Sequence, residues 1–369
     1  MAAHNDAGKL NDIANERLGV FRLDGAPILC RPFGNGHINN TFLVLDDTAR
    51  LYILQKINQN VFKDPLTVMQ NIMAVTAHLS RTVSEPRNVP ELVPALTGGF
   101  WHVDGDGEYW RMYSYIADSV CYQRTESIEL FRESGAAFGA FQQNLTSLPA
   151  HTLSETIPNF HNTPGRYKTL HSAINDNSHD RVKDTAAEIE FALNRETYAA
   201  TLMNRHAEGA LPLRVTHNDT KLNNVLFDRR TGKSLCVVDL DTVMPGFSVN
   251  DFGDSIRFGA TTADEDEKDL SKVTFSLRLF EAYAEGFLSA CGEHLDAEEI
   301  NSLCDGAAII TLETGIRFLT DYLMGDTYFR IGYEGQNLDR CRTQFKLVKD
   351  MEGSWDKMQS AIGKIHRRG

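Results

Sequence analysis

The sequence predicts an α+β chain of two lobes, a small antiparallel-sheet lobe over residues 1–117 and a larger, mostly helical lobe over 118–369. Three observations point there. Up to about residue 116, short runs with strand character alternate with acidic and glycine turns. From Glu126 on, apolar residues recur at helical spacing. Within that second region one stretch, Leu213 to Asp241, sets two short apolar runs among carboxylates and amides.

In order, an amino-terminal helix is expected through Leu18, then strands at Ala26 to Arg31, Thr41 to Leu45 and Leu51 to Ile57. Two more follow at Gly99 to His102 and Tyr109 to Tyr115. Asp46-Asp47 and Asp104-Gly105-Asp106-Gly107 supply the turns that neighbouring antiparallel strands require. One helix, about Pro65 to Ser80, interrupts the strands, and Asp118 to Arg124 reads as the hinge. Beyond it, Phe131, Phe138, Phe141 and Leu145 form a helical core stripe. Phe275, Leu279, Tyr283 and Phe287 form a second, and Ile309, Leu312, Ile316 and Leu319 a third. The acidic run Asp264-Glu265-Asp266-Glu267 adjoins Lys268, lacks apolar support, and reads as a solvated helix start.

With 369 residues and 42% apolar content the chain can bury a substantial core. A net charge of −13 argues against nucleic acid or an anionic membrane as partner and leaves small molecules. No apolar run approaches the ~20 residues of a membrane span. The first residues carry no secretory pattern, so a cytoplasmic protein is expected. Six dispersed cysteines without a Cys-x-x-Cys pair read as reduced, mostly buried thiols.

The chemistry gathers at His217, Asp219 and Asn224, in the order His-x-Asp-x-x-x-x-Asn, followed by Asp239 and Asp241 after the apolar run Cys236-Val237-Val238. Phosphoryl transfer needs this set: one carboxylate to accept the proton of the attacking hydroxyl, and an amide and a second carboxylate to hold magnesium. Asp219 is expected to be the base, and Asn224 with Asp239 the metal ligands. Val225-Leu226-Phe227 and the run before Asp239 read as a hairpin, which sets Asn224 and Asp239 at neighbouring strand ends. The octet His217 to Asn224 resembles the protein-kinase catalytic loop, with Lys221 able to lie against the transferring phosphoryl group. Asp251-Phe252-Gly253 spells the kinase magnesium tripeptide literally, yet no apolar strand precedes it, so Asp239 is preferred.

On the nucleotide side, Gly34 and Gly36 stand between the first two strands, where a kinase fold keeps the loop that covers ATP. Protein kinases align the phosphates with a strand lysine and a helix glutamate. Here the rhythm of Tyr52-Ile53-Leu54-Gln55-Lys56 puts Gln55 at the lysine position and turns Lys56 to the opposite face, and the helix from Pro65 to Ser80 contains no acidic residue. Either Lys56 reaches round, or the glycine loop, Lys221 and magnesium handle the phosphates. Adenine is expected at the hinge, on backbone groups around Tyr113 and Tyr115.

Through His217-x-Asp219-x-x-x-x-Asn224 and Val238-Asp239 the chain resembles the aminoglycoside phosphotransferase and choline kinase superfamily, small-molecule kinases with the protein-kinase fold. Longer runs make it similar to the N-acetylhexosamine 1-kinases of the bifidobacterial type. These runs are Gly36-His37-Ile38-Asn39, Tyr52-Ile53-Leu54-Gln55, Leu213 to Asn224, Asp251 to Ala260, and Arg317-Phe318-Leu319 with Asp321-Tyr322-Leu323. That resemblance implies transfer of the γ-phosphoryl of ATP, with Mg2+, to the anomeric hydroxyl of N-acetylglucosamine (GlcNAc) or N-acetylgalactosamine (GalNAc). It further implies a sugar pocket of His37, Phe258, Arg317 and Tyr328. Read without the resemblance, Arg317 is equally an ion-pair partner for Asp321 one turn on, and Phe258 and Tyr328 are equally core. The same fold with an aminoglycoside, choline, homoserine or methylthioribose acceptor is the alternative enzyme. A catalytically dead nucleotide-binding module is the alternative of another class, resting only on the unfilled lysine position.

Overall fold

A computed structural model describes residues 16–34 and 38–367. Five strands form an antiparallel sheet: β1 (Pro27–Pro32), β2 (Asn40–Asp46), β3 (Leu51–Lys56), β4 (Trp101–Val103) and β5 (Tyr109–Ser114), in the order β1-β2-β3-β5-β4. The acidic turns work as the sequence implies. Asp46 is fully buried and its carboxylate accepts from the backbone N–H groups of Thr48, Arg50 and Gly25, closing the β2–β3 turn. Asp104 does the same for β4–β5, taking Asp106 N–H, Glu108 N–H and the Trp110 indole. The register sets Gln55 of β3 beside Thr41 of β2 and Arg111 of β5.

Helix α1 (Pro65–Thr82) starts where Asp64 caps Thr67 N–H and Pro65 fills the first turn. Its buried stripe Val68, Met69, Ile72, Val75 and Leu79 joins one apolar cluster with Phe131 and Phe138 of α2 (Ile128–Leu145). Asn71 pins α1 deeper still: its amide donates to the carbonyls of Ser154 and Val243 and accepts from Ser154 N–H.

The larger helical part continues with α3 (Thr163–Asp176), α4 (Ser248–Gly259), α5 (Leu277–Cys291), α6 (Leu303–Leu323), α7 (Gln336–Gly353) and α8 (Trp355–His366). Helices α4 and α6 cross in near-backbone contact. A Cβ on Gly253 would stand 2.4 Å from the Gly306 carbonyl oxygen, and one on Gly306 2.1 Å from that of Val249. Only hydrogen fits at either position. Two small sheets are built from strands between α3 and α4 together with one strand that precedes α2. Of these, β7 (Arg214–Thr216) pairs with β10 (Met244–Gly246), and β6 (Ser119–Val120), β8 (Val225–Asp228) and β9 (Ser234–Val237) form a second antiparallel sheet.

The expected hairpin is β8 and β9, with Val225 opposite Val237 and Val238 N–H bonded to the Asn224 carbonyl at 2.9 Å. The amino-terminal helix expected through Leu18 falls almost entirely on residues 1–15, which lie outside the described residues; Glu16 is helical and leads into a 3-10 turn at Leu18–Val20. One expectation fails. The run Asp264 to Glu267 starts no helix, because its carboxylates are engaged elsewhere. Asp264 pairs with Arg124, Glu265 with Arg257, and Asp266 accepts from Gln336. No helix among the described residues is long and apolar enough to cross a membrane. Among the described cysteines five are buried thiols and Cys121 is exposed.

Candidate active site

The loop His217 to Asn224 leaves β7 and turns through Asn218, whose φ of +64° lies in the left-handed region that asparagine tolerates better than most residues. Asn218 is locked there. Its amide donates to the Thr216 and Thr242 carbonyls and accepts from the Thr216 hydroxyl. His217 is fully buried, edge-on to the rings of Phe138 and Phe141. Its Nε2 faces the Val238 carbonyl at 2.9 Å and its Nδ1 the Asp219 N–H at 3.3 Å, a pattern met by the ring protonated at Nε2. The histidine therefore ties the loop holding Asp219 to the strand end preceding Asp239.

Asp251 anchors the same loop from α4. Its Oδ2 accepts His217 N–H at 2.8 Å and the Gln142 amide at 2.6 Å, and its Oδ1 accepts Asn218 N–H at 2.7 Å. Burial pushes this carboxyl up, and His217 with the three donors counteracts the rise. Three residues on, Asp254 accepts Thr220 N–H at 2.9 Å, and the Ser255 hydroxyl donates to the Thr220 carbonyl. The literal kinase tripeptide is thus a brace for the loop: Asp251 holds it, Phe252 packs on Phe280, Tyr283 and Phe287, and Gly253 admits α6.

Asp219 is half-buried, with Lys221 Nζ 2.8 Å from its Oδ1 and the Asn224 amide 3.1 Å from its Oδ2. Burial raises its carboxyl, but Lys221, His217 and Arg257 outweigh burial and hold it below the ordinary carboxylate range. Asp219 in turn raises Lys221. The Asp219 carboxylate is ionised, and Lys221 is held against it.

Asp239 follows β9 with φ of +62° and opens onto the cleft. Enclosure by protein, then the charges of Asp241 and Asp219, push its carboxyl up to about 6. No hydrogen bond to it exists among the described residues, so this carboxylate at the cleft, crowded by the charges of Asp241 and Asp219, is open to a cation. Asn224 donates its amide N–H groups to the Asp219 carbonyl and carboxylate, which leaves its Oδ1 as the free end. Among the described residues no three His, Cys, Asp or Glu side chains gather to hold a metal alone. Two protein oxygens completed by phosphates and water are the usual setting for magnesium, and this pair fits it.

Asp241, two residues on, is buried and paired with Arg111 of β5, and it also accepts from Asn39. Gln55 Oε1 accepts from Arg111 Nε at 3.0 Å and Nη2 at 2.8 Å. Lys56 does not reach round, since its Nζ pairs with Glu108 at 2.9 Å on the opposite face. Sequence reasoning missed Arg111 and Asp251. The only trace of Arg111 was a charge inside the apolar run of β5.

The remaining expected residues divide. Gly34 is described, with φ of +77° and open space around it, whereas Gly36 and His37 lie outside the described residues. Tyr113 carries the Arg111 guanidinium 5.3 Å from its ring centre, and Tyr115 meets Phe33 edge-on. The backbone N–H groups of Ser114 and Tyr115 are already bonded to Glu91 and Leu51. Phe258 lines a cavity of about 270 Å³ with Arg257, Thr125, Thr261, Thr343 and Gln344. Arg317 and Tyr328 do not line it. Arg317 sits 5.4 Å from the rings of both Phe160 and Phe329 and makes no ion pair with Asp321, which instead accepts the N–H groups of Thr327, Tyr328 and Phe329. Tyr328 is 60% exposed against Phe329. His161, beside Phe160, bridges buried Glu313 to the Asn218 carbonyl, which links the Arg317 group to the loop at Asn218 and leaves it apart from the Phe258 cavity.

Solved structures share this arrangement of sheet and helices. A microcompartment-associated aminopropanol kinase aligns over 94% of this chain and 98% of its own, with TM-score 0.64 and 16% identity. An amicoumacin kinase in complex with AMP-PNP and Ca2+ covers 94% and 96%, with TM-score 0.62 and 14% identity. A choline/ethanolamine kinase family protein from Mesorhizobium loti covers 95% and 98%, with TM-score 0.59 and 16% identity. At such identities these likenesses establish the kinase-like fold. Residues 29–289, most of the chain, match the family described as the phosphotransferase enzyme family, and the chain belongs to it.

Proposed function

We propose that this phosphotransferase is an ATP-dependent N-acetylhexosamine 1-kinase, which moves the γ-phosphoryl group to the anomeric hydroxyl of GlcNAc or GalNAc. The observation that carries the phosphoryl-transfer half is the meeting of Asp219, Lys221 and Asn224 in direct contact beside Asp239. Asp219 orients the sugar hydroxyl and receives its proton, Lys221 faces the transferring group, and Asn224 with Asp239 would hold Mg2+. The ion, when bound, screens the phosphates. In a loose transition state the base serves mainly to orient, and an anomeric hydroxyl, more acidic than an ordinary alcohol, asks little of it. Nucleotide is assigned to the cleft side of residues 1–117, with Gly34 and Gly36 over the phosphates and Tyr113 and Tyr115 at the base.

For the acceptor, the resemblance to the bifidobacterial-type kinases nominates His37, Phe258, Arg317 and Tyr328. The Phe258 cavity supports a neutral polyhydroxylated ligand. It offers one aromatic ring, several hydroxyls, and Gln344, whose buried Oε1 has no partner among the described residues. Amine acceptors, such as the aminopropanol, choline and ethanolamine in the names of similar structures, call for an uncommitted acidic or aromatic cage. The two carboxylates at this cavity, Asp264 and Glu265, are each paired with an arginine. The test is ADP release across GlcNAc, GalNAc, galactose, choline, aminopropanol and an aminoglycoside. Turnover with the two N-acetylhexosamines is expected, and turnover confined to an amine would replace this reading.

A further inference from the structure

We propose that Arg111 is the positioning cation of the nucleotide site, supplied from β5 in place of the strand lysine that β3 lacks. Gln55 stands at the lysine position and cannot supply charge. Its carboxamide oxygen instead accepts two converging bonds from the register-paired Arg111, at 3.0 Å from Nε and 2.8 Å from Nη2, and these fix the plane of the guanidinium. The free edge of that fork is then aimed at Asp241. Asp241 is held from a second side by the Asn39 amide, and Asn39 Oδ1 is itself fixed by Asn58 N–H at 2.9 Å. Both oxygens of one carboxylate, two residues past Asp239, are therefore tied to the sheet that is to cover the nucleotide.

This accounts for two absences at once. An arginine that finds its own counter-ion in Asp241 needs no glutamate from α1, and α1 carries no acidic residue. A lysine at position 55 would set a second cation against Arg111, whereas glutamine accepts from it without competing for Asp241. Tyr113 flanks the guanidinium, and Arg111 itself is 1% exposed. Arg111 thus acts through Asp241 on the loop bearing Asp239.

The inference rests on Asn224 and Asp239 as the metal ligands and is independent of which acceptor is used. Its test is calorimetric binding of Mg·ADP and Mg·AMP-PNP, alongside kcat and both KM values and the unfolding midpoint. Arg111→Gln is expected to weaken Mg·nucleotide binding about 10-fold or more, with the acceptor KM little changed. Arg111→Lys, which keeps the charge on Asp241 but cannot also span to Gln55, is expected to fall between the two. Should Arg111→Gln not fold, Gln55→Leu replaces it. That change leaves the ion pair in place, frees the guanidinium plane, and is expected to weaken Mg·nucleotide binding about 3-fold or more. A folded variant at either position with a lowered unfolding midpoint but wild-type Mg·nucleotide binding overturns the proposal, as does equal weakening of nucleotide and acceptor. Loss of sugar turnover with another acceptor accepted would leave it standing.

Discussion

Asp251→Asn tests the brace under the catalytic loop. The substitution keeps the volume and exchanges one acceptor oxygen for an NH2 donor. Gln142 can rotate its own amide to meet that donor, but the backbone N–H groups of His217 and Asn218 cannot. Whichever way the new amide turns, one of them faces a donor. The loss of one charge-assisted bond is about 1.5–3 kcal/mol, and the buried N–H left without a partner adds about 1–3 kcal/mol. Relief of the burial that raises the Asp251 carboxyl returns part of this, so about 2–4 kcal/mol of destabilisation is expected. Urea denaturation should give a lower midpoint at unchanged slope. Because Asp219 follows Asn218 directly, its carboxylate loses its aim, and kcat should fall about 10- to 100-fold, more than either KM changes. A variant with the wild-type midpoint and wild-type kcat would refute the bracing role.

Other expectations follow from the same geometry. Asp219→Asn should lower kcat by about 10²-fold or more at an unchanged unfolding midpoint, and near-normal ADP release would remove Asp219 from the base role. Asp239, raised from an ordinary 3.8 to about 6, contributes stability present below the lower value and lost as pH rises through the upper one. Without divalent ion, the wild type should therefore lose thermal stability relative to Asp239→Asn between about pH 4 and pH 7. Magnesium should restore the wild type alone, and equal pH profiles for the two proteins would contradict the crowding seen in the cleft. Phe258→Ala should raise the acceptor KM about 10-fold with the ATP KM unchanged, and a change confined to ATP would move the acceptor away from that cavity.

The parts of the fold written in local chemistry were legible in the sequence. Asp46 and Asp104 announce their turns because an aspartate bonds its own following backbone, and Asp64-Pro65 announces a helix start for a similarly local reason. The catalytic octet and Asp239 are bound to one hairpin, so their spacing carried their geometry. What escaped was tertiary. Asp251 looked like a misplaced magnesium ligand because nothing local records that its oxygens meet N–H groups 33 and 34 residues earlier. Arg111 is a register partner of Gln55 across two strands separated by more than fifty residues, and only the assembled sheet brings them together. Arg317 and Asp321 have the spacing of an ion pair, yet Asp321 is turned to cap the chain at Thr327 to Phe329. The acidic run at 264–267 misled for the same reason, its partners Arg124, Arg257 and Gln336 lying far off in sequence.

The central claim is phosphoryl transfer to an anomeric oxygen by the Asp219, Asn224 and Asp239 group. Phosphorus NMR of the product formed from ATP, Mg2+ and N-acetylglucosamine or N-acetylgalactosamine tests it most directly. A sugar phosphate signal coupled to the anomeric proton, absent with the Asp219→Asn enzyme, is the expected result. Phosphate on another hydroxyl, or an anomeric product that persists undiminished in that variant, would contradict it.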